Sequence, residues 1–272
     1  MNTDSQTDTG SPLQNSETLS SITRVIDRLL GPGGCPWDQE QTPVSLCDYL
    51  IEECYELVEA LRSGSKQDIE EEMGDVFFLL LFLVRLLKQD GVTTMTSIAE
   101  KNAAKMISRH PHVFSDTEIN SREELLHNWE RIKKGEKSEK KGVFASLPVT
   151  LPPLLRAYRI HSKASRTGFT WVSDADFETH FEKEKQEWEQ ARKSGNQDAM
   201  LDEFGDFLFC VVEMGRRCGI KANAALHKAN AKFLRRFSAM EELAAAQGQD
   251  FSELDCAQKN ALWERVKEEE RQ

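Results

Sequence analysis

The sequence lacks the long apolar runs of a membrane protein. Its most hydrophobic stretch covers residues 76–84, whereas a helix that spans a bilayer needs about 20 apolar residues. The first seventeen residues have neither a basic start nor an apolar core, so we expect a polar tail there and no secretory signal. These absences argue against a membrane partner and favour a cytoplasmic location.

An excess of positive charge is also missing. The chain has 35 Lys and Arg against 46 Asp and Glu, which gives a net charge of -11. Such a surface repels a phosphate backbone overall, so no nucleic-acid partner is expected. The lysines of residues 133–143 alternate with Glu136 and Glu139, a pattern typical of a solvated connector.

Several catalytic and redox motifs are absent as well. The six cysteines include no C-x-x-C pair, which predicts reduced thiols and no disulfide framework. The sequence contains no G-x-x-x-x-G-K-[ST] phosphate loop and no H-E-x-x-H zinc motif. Any chemistry on phosphates must therefore use another arrangement of residues.

Strand signals are scarce, while apolar residues recur at helical spacing through most of the chain, so the predicted fold class is all-α. Ser121 and Glu124 form a capping-box pattern before another apolar stripe. The predicted helices begin near Leu19 and cover approximately 19–30, 43–62, 67–89, a segment starting near 96, 147–164, 174–193, 197–218, 222–247 and 251–267. The third of these is expected to be buried all round because residues 76–84 are uniformly apolar.

An internal repeat is the most informative feature. At an offset of 131 residues, acids, glycines and a phenylalanine recur in the same order: Glu53, Glu56, Gly64, Glu72, Gly74, Asp75 and Phe78 match Glu184, Glu187, Gly195, Glu203, Gly205, Asp206 and Phe209. The repeat predicts two tandem helical-bundle domains, at 18–135 and 145–272, with a polar tail over 1–17 and a linker over 136–144.

The repeated acids point to a metal site. On a helical wheel, Glu53 and Glu56 border the apolar stripe of their helix, and Glu72 and Asp75 have the same spacing on the next one. Four carboxylates beside one apolar seam repel one another unless they take up protons or bind a cation. Because no His or Cys recurs with them, the oxygen ligands favour Mg²⁺, Mn²⁺ or Ca²⁺.

A basic triplet follows each set of acids. Its members stand at i, i+4 and i+8, which places them on one helix face. They are Lys101, Lys105 and Arg109 in the first copy and Lys228, Lys232 and Arg236 in the second. A divalent cation facing a row of Lys and Arg suits a polyphosphate substrate, although a single such acid pair would more simply be surface charge.

At these residues the sequence resembles the MazG family of nucleoside triphosphate pyrophosphohydrolases. The resemblance runs from about residue 19 onward and includes the segments GCPWDQEQT, EECYE, EMGD, RHPHVF, NWERIK, TGFTW and KANAKFLRRF. It implies Mg²⁺-dependent hydrolysis of a nucleoside triphosphate to a monophosphate and pyrophosphate, with Mn²⁺ as an alternative ion. It also implies an all-α homodimer with sites built from packed helices.

The family motif implies roles for particular residues. Metal binding falls to Glu53, Glu56, Glu72 and Asp75 in one copy and to Glu184, Glu187, Glu203 and Asp206 in the other. Glu53, Glu56, Glu184 and Glu187 are also candidates for orienting or deprotonating the attacking water. The two basic triplets would hold phosphates, Asn230 and Trp263 would line the nucleotide pocket, and Trp171 would stack on the base unless it is a structural aromatic.

One position departs from the motif. Lys183 stands in the second copy where the first has Glu52. Glu52 points away from the proposed cluster on the wheel, so Lys183 is expected to be tolerated, but the copy that turns over substrate stays open. Two alternatives also stay open, a helical protein that binds nucleotides without hydrolysing them and an enzyme acting on a phosphoribosyl nucleotide.

Overall fold

The computed structural model describes residues 12–115 and 142–271, together with residues 121, 124, 125, 128 and 132. These residues form helices and turns, and no strand occurs among them, which confirms the all-α class. Parts of the predicted tail and linker, residues 1–11 and 136–141, lie outside the described residues. The chain divides into two compact units, Met1–Glu136 and Lys137–Gln272.

The first unit is built around a helical hairpin. Its helices are α1 (Pro12–Leu30), α2 (Pro36–Gln39), α3 (Leu46–Ser63), α4 (Lys66–Gln89), α5 (Met95–Arg109) and α6 (Pro111–Phe114). Helices α3 and α4 pack along each other, and α1 lies against α4. Ile26, Leu46, Leu81, Phe82 and Leu86 form the buried core between them.

The second unit repeats the hairpin. Its helices are α7 (Pro153–Ser165), α8 (Asp174–Ser194), α9 (Gln197–Arg217), α10 (Ala222–Ala246) and α11 (Cys256–Glu269), with a short 3-10 turn at Phe251–Glu253. Helix α8 pairs with α9, while α7 contacts both α9 and α10. A second buried core, between α10 and α11, contains Met240, Ala244, Leu254, Leu262 and Val266.

Both hairpins turn in the same way. Helix α3 ends at Gly64 with φ of 77°, and α8 ends at Gly195 with φ of 70°, the left-handed conformation that glycine adopts without strain. The next residue caps the following helix: Ser65 accepts a hydrogen bond from the Asp68 amide, and Asn196 accepts one from the Asp198 amide. The duplicated sequence therefore encodes a duplicated turn.

The predicted polar tail over 1–17 is wrong at its end, because α1 begins at Pro12, and proline fits the first turn of a helix. Three further sequence expectations are corrected by the structure. The helix predicted from 147 begins at Pro153, because the preceding Pro152 cannot continue a helix. The helix predicted over 251–267 is broken, since Asp255 caps a separate helix through the Gln258 amide.

The third correction concerns α4, which is not buried on all sides within the chain. Met73, Phe77 and Leu80 form an exposed stripe, with 36% of Phe77 accessible. The uniformly apolar sequence thus indicates a helix with a second, exposed apolar face and not a completely buried helix. No helix in the described part of the chain is long and apolar enough to cross a membrane.

Candidate active site

The hairpin of the first unit gathers three carboxylates. Glu53 and Glu56 lie one turn apart on α3, and Glu72 faces them from the start of α4. One carboxylate oxygen from each lies within 4.8 Å of the other two. The acids that the repeat predicted on two helices therefore form a single group in space.

The first acid group is electrostatically strained. Burial raises the pKa of Glu53, and the charges of Asp75 and Glu56 raise it further. Burial, followed by the charges of Glu56 and Glu53, also raises the pKa of Glu72. One oxygen of Glu72 is buried and accepts no hydrogen bond within the described residues. A divalent cation would supply the missing partner and relieve the repulsion, so these hard oxygen donors fit Mg²⁺ or a similar ion.

The second hairpin gathers the matching acids. Carboxylate oxygens of Glu184, Glu187 and Glu203 also lie within 4.8 Å of one another. Glu184 is buried, with 9% of its surface accessible. Burial raises the pKa of Glu203, and the charges of Glu187 and Asp206 contribute to the same shift. Both units therefore carry a group of three close carboxylates, and these hard oxygen donors fit a divalent cation.

The fourth acid of each set stands slightly apart. Asp75 and Asp206 are not among the acids whose oxygens meet within 4.8 Å. Each nevertheless contributes to the pKa shifts of the acids beside it. The structure thus brings together three of the four sequence-predicted acids in each copy, with the aspartate close enough to influence them.

Lys183 does not point away from the second acid group, contrary to the expectation from the helical wheel. Its ammonium lies 3.0 Å from a carboxylate oxygen of Glu187, one turn along α8. The hydrogen bond to Glu187 raises the pKa of Lys183. Lys183 and Glu187 are four residues apart and therefore neighbours on one helix face, a spacing that the expectation did not take into account. The second cluster therefore carries a built-in cation at the position of Glu52.

The aromatic ring beside each acid group was not predicted from the sequence. His180 Nε2 lies 3.5 Å from a carboxylate oxygen of Glu184, and the ring centroids of His180 and Trp171 are 5.3 Å apart. In the first unit Trp37 makes the corresponding contact with Tyr49, at 5.7 Å. The signal available in the sequence was the i, i+4 spacing of His180 and Glu184, which places both on one face of α8.

A buried charge network also went unnoticed at the level of sequence. Glu213 on α9 is 1% exposed and receives hydrogen bonds from Arg216 at 2.6 and 2.8 Å. His161 on α7 lies 3.5 Å from Glu213 through Nδ1 and 3.0 Å from the carbonyl of Phe209 through Nε2. Burial lowers the pKa of His161, and the positive charge of Arg216 lowers it further, while the charge of Glu213 and the hydrogen bond with the Phe209 carbonyl act in the opposite direction.

An aromatic pocket lies next to this network. It has a volume of about 470 Å³ and is open on one side. The rings of His161 and Phe209 stack 3.8 Å apart in its wall. Its lining is almost entirely apolar and is formed by Phe144, Ile160, His161, Ala164, Gly168, Phe169, Thr170, Trp171 and Phe209. Phe209 follows Asp206 by one turn of α9, so the pocket adjoins the second acid group.

The predicted phosphate-binding residues lie on other helices. Lys101 and Lys105 are exposed on α5, which ends at Arg109. Lys228, Asn230 and Lys232 are exposed on α10. Arg236 is largely covered, because its guanidinium lies 5.5 Å from the centroid of Trp263 and 2.7 Å from Glu270. The structure therefore brings together Arg236 and Trp263 of the predicted set.

The first acid group lies in a segment that matches a known protein family. Residues 41–114, which hold the first acid group, match the model of the MazG nucleotide pyrophosphohydrolase domain. A nucleoside triphosphate pyrophosphohydrolase of Escherichia coli K12 is 33% identical over 257 residues, which cover 93% of this chain and 98% of that protein. The chain belongs to the MazG family.

Other relatives extend the likeness along most of the chain. A protein of Thermotoga maritima named nucleoside triphosphate pyrophosphohydrolase/pyrophosphatase MazG is 36% identical over 250 residues, covering 92% of this chain and 95% of the relative. The uncharacterized protein YabN of Bacillus subtilis is 36% identical over 255 residues, covering 93% of this chain and 52% of its own length. The likeness to these relatives therefore extends well beyond residues 41–114, which the family model matches.

Proposed function

We propose that the protein hydrolyses ribo- or deoxyribonucleoside triphosphates to monophosphates and pyrophosphate in the presence of Mg²⁺. The observation that carries this proposal is the three-carboxylate group, present twice at the same place in a MazG hairpin. Relatives covering nearly the whole chain are named nucleoside triphosphate pyrophosphohydrolases. In this proposal the activity serves housekeeping of the nucleotide pool in the cytoplasm, where thiols such as the six free cysteines stay reduced.

The acids would hold the metal. In this proposal the metal-binding residues are Glu53, Glu56, Glu72 and Asp75 in the first unit and Glu184, Glu187, Glu203 and Asp206 in the second, with Mn²⁺ able to replace Mg²⁺. When bound, the ion neutralises phosphate charge and favours attack at phosphorus. Of the acids, the candidates to orient the attacking water or accept its proton are Glu53, Glu56, Glu184 and Glu187. The raised pKa of Glu53 suits proton uptake by that residue.

The basic residues would hold the remaining phosphate charge. Arginine and lysine bind phosphate oxygens by charge-assisted hydrogen bonds. The proposed set is Lys101, Lys105 and Arg109 in the first unit, and Lys228, Lys232 and Arg236 with Asn230 and Trp263 in the second. Arg236, stacked on Trp263, is already oriented by its surroundings.

The base would enter the aromatic pocket of the second unit. Trp171 lines this pocket and contacts His180, which in turn contacts Glu184 of the acid group. A planar heteroaromatic ring stacks favourably between aromatic side chains. A nucleotide with its phosphates at the acids and its base beside Trp171 would therefore span two adjoining features of the second unit.

We also propose that the protein is a homodimer. The stripe of Met73, Phe77 and Leu80 on α4 recurs on α9 as Phe204 and Leu208, all of them at least 36% exposed. Contiguous apolar faces of this kind favour burial against another helix pair. Light scattering coupled to size-exclusion chromatography should give about twice the mass of the 31.0 kDa chain. A monomeric mass would contradict the proposed homodimer.

The direct test of function is pyrophosphate release from a panel of ribo- and deoxyribonucleoside triphosphates, with and without Mg²⁺. The proposal expects Mg²⁺-dependent release of pyrophosphate together with the monophosphate. Orthophosphate release would place the attack at another phosphorus. Binding of nucleotides without turnover would support a non-catalytic role, and release only from a phosphoribosyl nucleotide would assign a different substrate.

A further inference from the structure

Two neighbouring arginines of α10 converge on one carboxylate. Arg235 donates to Oε1 of Glu270 from Nε at 3.2 Å and Nη2 at 2.8 Å. Arg236 approaches Oε2 of the same residue with Nε at 2.8 Å and Nη2 at 2.7 Å. Glu270 directly follows α11. Four guanidinium nitrogens thus surround a single anionic group, an arrangement that proteins commonly use for phosphate.

This convergence needs an anion to hold it together. Adjacent residues on a helix point about 100° apart and do not normally face one partner. Arg235 is 65% exposed in its side chain and Arg236 only 18%, yet both turn to Glu270. The two arginines lower the pKa of Glu270 to about 2, so its carboxylate stays ionised at neutral pH. Without an anion between them, the two guanidinium groups would repel each other.

Aromatic side chains lie on the other side of the paired arginines. The Arg236 guanidinium lies 5.5 Å from the centroid of Trp263, and Trp263 packs against Phe233 at 5.4 Å between centroids. The first unit lacks the paired arginines, because Ser108 stands opposite Arg235 when Arg109 is aligned with Arg236. The paired-arginine site is therefore a property of the second unit.

We propose that Glu270 occupies the place of a substrate phosphate, so that an incoming polyphosphate displaces its carboxylate and binds both Arg235 and Arg236. This inference rests on the proposed function for the identity of the polyphosphate and for Arg236 as a phosphate-binding residue. It adds Arg235 as a phosphate-binding residue and makes Glu270 an internal competitor. A phosphate group can replace the carboxylate here because it offers more oxygens and a larger charge to the same four nitrogens.

The test measures binding of inorganic tripolyphosphate by calorimetry to the full chain and to the Glu270→Gln variant. Removing the competing charge should tighten binding about threefold to tenfold, in line with the energy of a partly exposed ion pair. The matched control is Glu269→Gln, which removes the neighbouring acid that pairs with Arg265. This control should bind like the wild type. Circular dichroism of each variant checks that the helices are retained.

A second variant separates competition from simple positioning. In the Glu270→Gln background, Arg235→Gln should weaken tripolyphosphate binding about tenfold or more, because a direct phosphate contact is lost. Unchanged or weaker binding by Glu270→Gln alone, no effect of Arg235→Gln in that background, or no binding by any form would each overturn the proposal. Pyrophosphate release from nucleotides is measured separately, so a failure of the proposed function would leave this binding result interpretable.

Discussion

The two hairpins keep the same acids but differ in almost everything around them. Glu53, Glu56 and Glu72 meet as Glu184, Glu187 and Glu203 do, and each hairpin turns on a glycine followed by a capping residue. In the second unit, Lys183 pairs with Glu187, and an aromatic pocket adjoins the acids. The acid geometry is thus the shared part of the fold, and the groups beside it distinguish the copies.

The cores of the two units differ as well. Aligning Phe78 with Phe209 places Phe82 opposite Glu213, and both side chains are 1% exposed. One unit fills this position with an aromatic ring, and the other fills it with a carboxylate held by Arg216 and His161. A buried ion pair does not by itself stabilise a core better than apolar packing. The network instead fixes the helices that line the aromatic pocket.

Among the variants that compare the two units, the removal of Glu213 should have the largest effect on stability. Glu213→Ala leaves Arg216 and His161 without their buried partner and should cost roughly 3–5 kcal/mol of stability. Phe82→Ala, the matched change in the first unit, should cost a similar amount through its cavity. Only Glu213→Ala should alter the aromatic pocket, as measured by near-ultraviolet circular dichroism alongside urea unfolding. Equal spectral effects of the two variants would contradict the distinction between the cores.

The next effect concerns the base side of the site. Trp171→Leu should raise KM for nucleoside triphosphates about tenfold, since stacking on an aromatic ring contributes roughly 1–3 kcal/mol. The affinity for inorganic tripolyphosphate should not change, because that ligand has no base. Trp37→Leu is the matched variant, and we expect it to leave KM nearly unchanged because the aromatic pocket lies in the second unit. A larger effect at Trp37 would move the base site to the first unit.

A charge exchange should alter metal affinity by a smaller factor. Lys183→Glu gives the second cluster the acid that the first has at Glu52, and should tighten Mn²⁺ binding about threefold to tenfold. Glu52→Lys should weaken binding at the first cluster by a comparable factor. Electron paramagnetic resonance titration with Mn²⁺ measures both changes. Identical affinities in all forms would show that Lys183 does not act on the cluster.

The smallest expected effect is on the thermal stability of the protein without bound metal. Because the folded pKa values of Glu53, Glu72 and Glu203 are raised, their favourable contribution is present below their unfolded pKa of about 4.5 and is lost as pH rises through the folded values. Glu72→Gln should therefore raise the metal-free Tm at pH 7 by about 1–3 °C and flatten its pH dependence. Differential scanning calorimetry in chelator measures this. A lower Tm for the variant would contradict the proposed repulsion.

His161 should have the opposite dependence on pH. Its folded pKa is lowered, so stability is retained above the unfolded pKa of about 6.5 and falls as pH drops through the folded value. This contribution belongs to the second unit alone.

The sequence predicted the parts of the fold that depend on local periodicity. The hairpins, their glycine breaks and the approach of Glu53, Glu56 and Glu72 all follow from helical spacing and the repeat. The contact of His161 with Glu213 could not be predicted, because it joins residues on different helices that no spacing rule connects. The contact of Lys183 with Glu187, by contrast, could have been predicted, since the two residues have the i, i+4 spacing of neighbours on one helix face.

The most direct test of the central claim is Mg²⁺-dependent pyrophosphate release by the wild type, Asp75→Ala, Asp206→Ala and the double variant. We expect the double variant to lose at least about 100-fold in turnover with its helicity intact, because each cluster loses an acid that supports metal binding. Loss in one single variant would identify the working unit, and loss in both would show that the units cooperate. Full activity of the double variant would contradict a metal site at the duplicated acids.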